Sequence, residues 1–246
     1  AANGMAGVML PRVLDRLPQV EVVRCYFDPD GSFPNHEPNP LLPENRDFII
    51  DKTRAEGADF GVAYDGDADR CFFVDETGEF IPGDFTTALF AETMLAREPG
   101  GKVIYDVRAS WAVPKAIEAA GGVALANRVG HAFIKQRMRD VDAVFAGEVS
   151  AHYYFRDFTK ADTGVVPFLL MLEIVSKRGQ KVSEILAPLR STYFLTGEIN
   201  TPVADVPLKL QEIKERYRSE GAVSHLDGLS IDRSEEHTSE LQSRGL

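Results

Sequence analysis

Three carboxylates at alternate positions give this sequence its clearest chemistry. Asp65, Asp67 and Asp69 directly follow the apolar run Phe60–Tyr64, which predicts a buried strand with the acids at its carboxyl end. Acids this close disfavour one another's ionisation unless a cation neutralises them. Carboxylate oxygens suit magnesium, calcium or manganese rather than zinc. Because Arg70 adds a planar cation suited to phosphate, the acidic loop, residues 65–70, predicts a hard-cation site and phosphoryl chemistry.

Two other interpretations of the acidic loop remain open at this point. The pattern nearly matches the calcium loop of an EF-hand, in which Glu76 would supply the last ligand. The match fails at two points. Arg70 stands where the sharp turn of the calcium loop needs Gly, and a predicted strand rather than a helix leads into the loop. The second interpretation is a solvated acidic turn, since Asp is a common turn residue.

Composition limits the class of protein. The chain has 246 residues, of which 44% are hydrophobic and 26% are charged, as in ordinary globular domains. Neither a membrane span nor a signal peptide is visible, so we expect a cytoplasmic protein without a membrane partner. A net charge of −11 argues against a nucleic-acid partner but allows a small phosphorylated ligand. Cys25 and Cys71 are predicted to be buried thiols.

The elements that would position the acidic loop alternate between strands and helices. The first part of the chain predicts a helix up to Leu17, a strand at residues 20–27, a Pro-rich loop at 33–40, a helix at 44–56, a hairpin at 71–81 and a helix at 85–96. The run Glu98-Pro99-Gly100-Gly101 then marks a boundary. These elements predict a first domain at residues 1–99.

A second series of elements follows this boundary. It comprises strands at 103–106, 123–126 and 143–146, with helices at 112–120, 133–139, 165–177 and 182–189. The alternation predicts an α/β domain at residues 100–195. A short strand near Thr196, a helix at 208–219 and a strand near Leu229 predict an incomplete unit at residues 196–232.

Both ends of the chain are unusual. Residue 1 is not Met, and the first element begins as if in mid-domain, so we expect an internal piece of a longer protein. The segment RSEEHTSELQS at residues 233–243 is similar to the translation of a sequencing adapter. We interpret residues 233–246 as an artefactual tail and exclude it from the fold.

Further polar clusters lie at the predicted ends of consecutive strands, which is where α/β sheets bind ligands. Their members are Arg108, His131, Lys135, Glu148, Ser150 and His152. The last three mix acid, hydroxyl and imidazole in a way that could hold sugar hydroxyls. Ser150 and His152 also mimic part of a hydrolase dyad, but the G-x-S-x-G elbow is incomplete and no separate acid is indicated.

In combination and order, four motifs resemble the α-D-phosphohexomutase family over residues 1–232, with most similarity to its bacterial phosphomannomutase branch. They are DGDADR, FPNHEPNP, RVGHAFIK and GEVSAHYYF, followed by GEIN at residues 197–200. The resemblance implies the second and third domains of a four-domain enzyme, each a three-layer α/β domain with a mixed sheet, and the start of an α+β fourth domain. The family usually has Gly at the position of Ala68, a mild change at a negative φ and a straining one at a positive φ.

The resemblance also implies an activity. Members move phosphate reversibly between C6 and C1 of a hexose through a hexose 1,6-bisphosphate, which serves as intermediate and activator. A phosphoserine donates the phosphoryl group, and Mg²⁺ is held by that phosphate and by the acids matching Asp65, Asp67 and Asp69. Mannose phosphates are the implied substrates, with glucose phosphates as alternatives. The implied partner is therefore a phosphorylated hexose, and no oligomeric state is indicated.

The remaining site residues take their roles from the same resemblance. Arg70 borders the phosphoserine and sugar, and Arg108 and His131 match catalytic groups beside the reacting oxygens. The substrate-binding residues implied are Glu148 and Ser150, which match residues holding the O3 and O4 hydroxyls, His152 in the same loop, and Lys135 close by.

One departure from the family bears on turnover. The loop with the phosphorylated Ser and the fourth-domain loop that grips the distal phosphate are both missing from these residues, and Asn35 stands where a Ser would precede His36. We therefore predict no turnover by this polypeptide alone. The alternatives are a non-catalytic calcium- or carbohydrate-binding module and a magnesium phosphatase with an Asp nucleophile. The phosphatase would need a downstream Lys and acid motif, which is not found in order.

Overall fold

Two groups of elements make up the part of the chain that the computed structural model describes, residues 1–197, 199 and 201–233. Ala1–Phe194 form one unit, and the described residues from Leu195 onward form another. Within the described residues, no helix combines the length and the apolar character needed to traverse a lipid bilayer.

A small antiparallel sheet carries the acidic loop. Its strands are β1 (Phe60–Tyr64), β2 (Cys71–Asp75) and β3 (Phe80–Ile81), in the order β1-β2-β3. Tyr64 pairs with Cys71, so the acidic loop connects the two strands of a hairpin. The predicted strand before the loop and the predicted hairpin after it are both confirmed.

The helices before this sheet are shorter than expected. They are α1 (Ala6–Leu14) and α2 (Asp47–Glu56), with a 3₁₀ turn at Pro43–Asn45 between them. The first was expected to reach Leu17, and the second to begin at residue 44. Helix α2 packs against β1 and β2 and so supports the hairpin from one face.

The strand predicted at residues 20–27 is wrong. These residues form neither a strand nor a helix, and no described strand pairs with them. Val22 and Val23 instead line an apolar cavity of about 340 Å³ together with β1. Apolar β-branched residues favour an extended backbone, but a strand also needs a neighbour that completes its hydrogen bonds. Among the described strands, β1 pairs only with β2 and leaves its other edge unpaired.

A mixed five-stranded sheet follows, in the order β5-β4-β6-β7-β8. Strand β4 pairs in parallel with β5 and β6, whereas β6–β7 and β7–β8 are antiparallel. The strands are β4 (Lys102–Asp106), β5 (Val123–Asn127), β6 (Phe145–Gly147), β7 (Tyr153–Phe155) and β8 (Ala161–Asp162). The helices are α3 (Gly83–Arg97), α4 (Ala112–Ala119), α5 (His131–Val141), α6 (Val165–Arg178) and α7 (Val182–Thr192). The sequence did not predict β7 and β8.

Alternate residues of this sheet face two different layers. Ile104 and Tyr154 are fully buried in a cluster with Met138 of α5. Tyr153 instead contacts Phe90 of α3, with 5.3 Å between the ring centroids. Because successive strand residues point to opposite faces, α5 covers one face and α3 the other. The predicted α/β class is confirmed, with three layers in this part of the chain.

Helix α3 packs against α4 and β6. The expected domain boundary near residue 99 lies directly after α3 and stays a prediction. Both cysteines are free thiols; Cys71 is buried as predicted, but Cys25 is only half-buried.

The second unit contains one helix and one hairpin among its described residues. Asp205 caps α8 (Val206–Tyr217) by accepting a hydrogen bond from the Leu208 amide, 3.0 Å long. Strands β9 (Ala222–Ser224) and β10 (Ser230–Asp232) pair antiparallel. The strand expected near Thr196 is absent from residues 195–197. Positions 198 and 200 of the GEIN motif, and residues 234–246 of the expected tail, lie outside the described residues.

An ion pair fastens the end of the hairpin that lies far from the acidic loop. Asp75, the last residue of β2, is fully buried and lies 2.6 Å from Nη1 of Arg190 in α7. Burial raises the pKa of Asp75, but hydrogen bonds from Thr77 and Glu79 and the Arg190 guanidinium outweigh it and hold that pKa below its ordinary value. The pair therefore ties α7 to the small sheet.

We expect Arg190→Met to lower the free energy of unfolding by about 3 kcal/mol, because it leaves a buried carboxylate without its cation. Since the folded pKa of Asp75 is lowered, its contribution is complete above the ordinary value of 3.8 and is lost as the pH falls through the folded value. The deficit of the variant should therefore shrink in strong acid. Urea unfolding at several pH values measures both effects.

Lys177→Met is the control for this experiment. Lys177 lies 2.6 Å from Glu173, one helical turn away, but its side chain is 74% exposed. Exposed pairs of this kind contribute about 0.5 kcal/mol or less. Equal losses in the two variants would contradict the assigned role of the Asp75–Arg190 pair.

Candidate functional site

The three aspartates of the acidic loop converge as the sequence predicts. Asp65, Asp67 and Asp69 each offer a carboxylate oxygen, and these oxygens lie within 4.8 Å of one another. Asp65 is 1% exposed, so the loop is not simply a solvated turn. An all-oxygen donor set with one exposed member, Asp67, suits Mg²⁺, which keeps coordination positions open for water or phosphate. The EF-hand interpretation is wrong, because β-strands flank the loop on both sides.

Arg70 neutralises part of this acidic charge. Its Nε donates to Asp65 Oδ2 over 2.6 Å, and its backbone N–H donates to Asp65 Oδ1 over 3.1 Å. Burial nevertheless raises the pKa of Asp65, and the nearby charge of Asp69 adds to that shift. A divalent cation at this position would reverse this penalty and favour the ionised carboxylate.

Ala68 adopts a left-handed backbone in the middle of the acidic loop. Its φ is 63°, so the replacement of the family's usual Gly is the straining case. Ala68 is 2% exposed, and its carbonyl accepts a hydrogen bond from the Gly164 amide over 3.1 Å. The surrounding contacts therefore hold an alanine in a conformation that it disfavours.

The start of the chain supports the other side of the acidic loop. Met5 N–H donates to the Gly66 carbonyl over 2.9 Å. A Cβ atom on Gly4 would lie only 2.5 Å from that same oxygen, so the approach requires glycine. The residues before α1 thus fix the position of the loop backbone.

The second predicted cluster occupies the turn between β6 and β7. In this 148–152 loop, the Glu148 amide donates to the His152 carbonyl over 3.0 Å, and the Ala151 amide donates to the Glu148 carbonyl over 2.9 Å. Ala151 is fully buried with a φ of 65°. Ser150 therefore lies in a tight hairpin turn rather than in the strand-to-helix elbow of a hydrolase.

Glu148 organises the polar side chains around this loop. The Tyr154 hydroxyl donates to Glu148 Oε2 over 2.6 Å, and the Gly130 amide donates to Oε1 over 3.2 Å. Burial and the charge of Glu148 raise the pKa of Tyr154, which keeps its hydroxyl protonated as a donor. Ser150 Oγ lies 2.9 Å from His152 Nδ1. Glu148 thus links the 148–152 loop to the turn before His131.

His152 brings the two loops together. Its Nε2 lies 3.3 Å from Asp69 Oδ1, and its Nδ1 lies 3.4 Å from Glu148 Oε2. A backbone bridge also pairs His152 with Arg70. Burial lowers the pKa of His152, but the hydrogen bond and charge of Asp69 and the charge of Glu148 outweigh it and raise that pKa. The hydrogen bond from His152 in turn lowers the pKa of Asp69.

Lys135 and His131 lie one helical turn apart at the start of α5. Lys135 Nζ is 3.5 Å from His131 Nδ1 and 2.6 Å from Asp162 Oδ1. Asp162 also has a carboxylate oxygen within 4.8 Å of ligand atoms of Asp69 and His152. Lys135 and His131 are therefore connected to the acidic loop through Asp162.

Arg108 is connected to the 148–152 loop through Asp106, the last residue of β4. Asp106 Oδ2 accepts from Arg108 Nη2 over 3.0 Å and from the Val149 amide over 2.8 Å. Two strand ends, at β4 and β6, are thereby joined. All ten of the residues singled out from the sequence are thus connected in one network of acids, bases and hydroxyls.

Sequence reasoning missed three members of this network. Asp106 stands at a predicted strand end, which is a signal that could have identified it. Tyr154 lies within the GEVSAHYYF motif, but its contact with Glu148 depends on the unpredicted strand β7. Asp162 lies in the unpredicted strand β8 and carries no local signal.

Known proteins share this arrangement of domains. The family model described as phosphoglucomutase/phosphomannomutase, alpha/beta/alpha domain II, matches residues 1–78, and the model of domain III matches residues 82–193. The chain is 44% identical to phosphohexose mutases of Xanthomonas campestris over 233 residues, which cover 94% of the chain and 52% of the relative. It is 41% identical to the phosphomannomutase of Escherichia coli over 236 residues, with the same coverage of 94% and 52%. The chain spans about half the length of the curated relatives it matches.

A solved structure agrees with these sequence relatives. The phosphoglucomutase/phosphomannomutase family protein from Burkholderia thailandensis superimposes with a TM-score of 0.78 at 34% sequence identity. The match covers 95% of this chain and 50% of that one.

We expect Ala68→Gly to raise the free energy of unfolding by about 1 kcal/mol, because glycine adopts the left-handed backbone without strain. Ala88→Gly is the control: Ala88 is 1% exposed within α3, where glycine costs about 1 kcal/mol. Thermal unfolding of both variants measures the difference. A loss at Ala68 equal to the loss at Ala88 would show that the loop holds alanine without strain.

Proposed function

This chain belongs to the phosphoglucomutase/phosphomannomutase family, and we propose that it is the part of a phosphomannomutase that holds the divalent cation and the sugar. The proposed reaction interconverts mannose 6-phosphate and mannose 1-phosphate through a hexose 1,6-bisphosphate, with glucose phosphates as further substrates. The site would act in the cytoplasm.

One observation carries this proposal: His152 contacts Asp69 on one side and Glu148 on the other. A cation site alone would not need the 148–152 loop, and a sugar site alone would not need three converging aspartates. Their direct contact supports a reaction in which a phosphoryl group and a sugar hydroxyl meet. Such transfer depends mainly on positioning and on neutralising charge.

In this proposal Asp65, Asp67 and Asp69 hold Mg²⁺. When bound, the ion would supply positive charge to a transferring phosphoryl group. Arg70 orients Asp65 through two hydrogen bonds and presents the rest of its guanidinium beside the loop. The acidic loop thus combines a cation site with a fixed cationic side chain.

The sugar is assigned to the 148–152 loop. Glu148 and Ser150 would bind neighbouring hydroxyls, since a carboxylate accepts and a serine hydroxyl both donates and accepts. His152 holds that loop against the acidic loop. His131 and Arg108 are assigned to the reacting oxygens, because imidazole exchanges protons near neutral pH and guanidinium stabilises anionic oxygens. Lys135 would add positive charge beside them.

A non-catalytic carbohydrate-binding module is the second candidate. The 148–152 loop is the feature that suits such a module. If the chain bound free mannose as tightly as mannose 1-phosphate, that result would favour the carbohydrate-binding module. The acidic loop and the three cationic side chains of the network, Arg70, Arg108 and Lys135, instead favour the phosphorylated sugar. Comparing the two ligands by calorimetry, with and without Mg²⁺, distinguishes these functions.

We expect Asp67→Asn to weaken Mg²⁺ binding at least about tenfold, because an exposed ligand is removed without disturbing a buried contact. Isothermal titration with MgCl₂ measures this change. Asp157→Asn is the control, since the Asp157 side chain is 86% exposed and lies outside the acidic loop. Equal affinities of the Asp67 variant and the parent chain, or tighter binding of Ca²⁺ than of Mg²⁺ by the parent, would contradict the magnesium site.

We expect Ser150→Ala to weaken mannose 1-phosphate binding about fivefold, since one hydrogen bond to a sugar hydroxyl is lost. Ser191→Ala is the matched control, because Ser191 is exposed in α7 and its hydroxyl donates to the Pro188 carbonyl over 3.1 Å. Fluorescence or calorimetric titration gives both affinities. Unchanged binding by the Ser150 variant would remove the 148–152 loop from the sugar site.

We still predict that this chain alone does not turn over substrate, because its residues do not include the loop that carries the phosphorylated Ser. The assay uses the purified 246-residue chain with Mg²⁺, mannose 1-phosphate and a hexose 1,6-bisphosphate activator. Release of mannose 6-phosphate above a no-protein control would refute the prediction.

A further inference from the structure

We propose that Asp106 is a positioning residue that locks Arg108 and the 148–152 loop into one geometry, an inference that rests on the proposed function. Asp106 ends β4 and is fully buried. Its Oδ1 accepts from the Arg108 amide over 2.8 Å and from Arg108 Nε over 3.2 Å. Its Oδ2 accepts from Arg108 Nη2 over 3.0 Å and from the Val149 amide over 2.8 Å.

These four donors require a carboxylate. An ionised Asp has acceptor sites on both oxygens, whereas an Asn places an NH₂ group where one pair of donors now points. The isosteric variant would therefore leave N–H groups facing one another at a buried position. Such loss of a partner costs more than the hydrogen bond itself.

The surrounding packing leaves little room for the two loops to adjust by themselves. A Cβ atom on Gly83, the first residue of α3, would lie 2.4 Å from the Val149 carbonyl oxygen. The next residue, Asp84, accepts a hydrogen bond from the Ser110 amide over 2.7 Å. The first turn of α3 thus contacts both the loop after β4 and the 148–152 loop. Asp106 joins the same two loops to each other.

The consequence concerns the distance between two proposed substrate contacts. Arg108 is assigned to a reacting oxygen, and Glu148 and Ser150 to sugar hydroxyls on the same ligand. Asp106 sets the direction of the guanidinium with both of its carboxylate oxygens, and Oδ2 also holds the Val149 amide of the 148–152 loop. A change at Asp106 should therefore weaken both contacts together, although Asp106 itself touches no ligand in this assignment.

The test compares Asp106→Asn with Asp75→Asn in the full chain. Asp75 is equally buried and likewise accepts backbone N–H groups and an arginine, but it lies at the far end of the small sheet. Both variants should lose thermal stability. Only Asp106→Asn should raise the Kd for mannose 1-phosphate, by about tenfold or more, measured at a temperature where both variants are folded. Mg²⁺ affinity should stay unchanged in both variants.

A double-mutant cycle adds a readout that general destabilisation would not change. If Asp106 acts through Arg108, then Arg108→Ala combined with Asp106→Asn should raise the Kd by less than the product of the single effects. Independent, multiplicative effects would overturn the proposal. So would an unchanged Kd in Asp106→Asn, or an equal rise in Asp75→Asn.

Hydrogen exchange separates this inference from the proposed function. In Asp106→Asn, the Val149 amide should exchange faster than in Asp75→Asn when each variant is measured the same number of degrees below its own unfolding midpoint. Equal exchange would overturn the positioning role even if ligand binding changed. If the parent chain bound no mannose 1-phosphate, the proposed function would fail, and exchange at Val149 would still decide whether Asp106 holds the two loops together.

Discussion

The arrangement of this site depends on burying negative charge at and beside two loops, the acidic loop and the 148–152 loop. Asp65, Asp106 and Glu148 are almost fully buried. Each carboxylate accepts a hydrogen bond: Asp65 from Arg70, Glu148 from Tyr154, and Asp106 from the Val149 amide. Buried carboxylates are tolerated only when such partners are present, so the partners fix the loops as well as the charges. The central imidazole, His152, then joins the acidic loop to the 148–152 loop without adding further negative charge.

The surrounding fold serves this arrangement in two ways. The hairpin β1-β2 delivers three aspartates at one end and is fastened by Asp75 and Arg190 at the other. The mixed sheet brings the ends of β4 and β6 side by side, because these strands are parallel neighbours. Helix α3 packs behind both loops that follow these strands. The chemistry therefore lies on loops, while the distances between loops are set by strands and one helix.

Local patterns were sufficient for much of this structure. Strand β1, the β2-β3 hairpin and the helices of the α/β part have the expected positions, because their periodicity and turn residues act over short stretches of chain. The segment at residues 20–27 has equally strong β propensity, yet no described strand pairs with it, since pairing is decided by a neighbour elsewhere. The same reason explains why Asp162 was not assigned, since its contact with Lys135 joins residues far apart in sequence. Asp106 does end a predicted strand, but its contact with Val149 is equally remote in sequence.

The tie between Asp106 and Val149 spans 43 residues of chain, and this separation bears on how the protein acquires its native state. Closing such a loop costs chain entropy before any contact compensates it, so contacts of this kind form late compared with helices and hairpins. A folding intermediate could contain every helix of the first unit and still lack the contact between the end of β4 and the 148–152 loop. Exchange protection of the Val149 amide would then report complete folding more faithfully than helix content does.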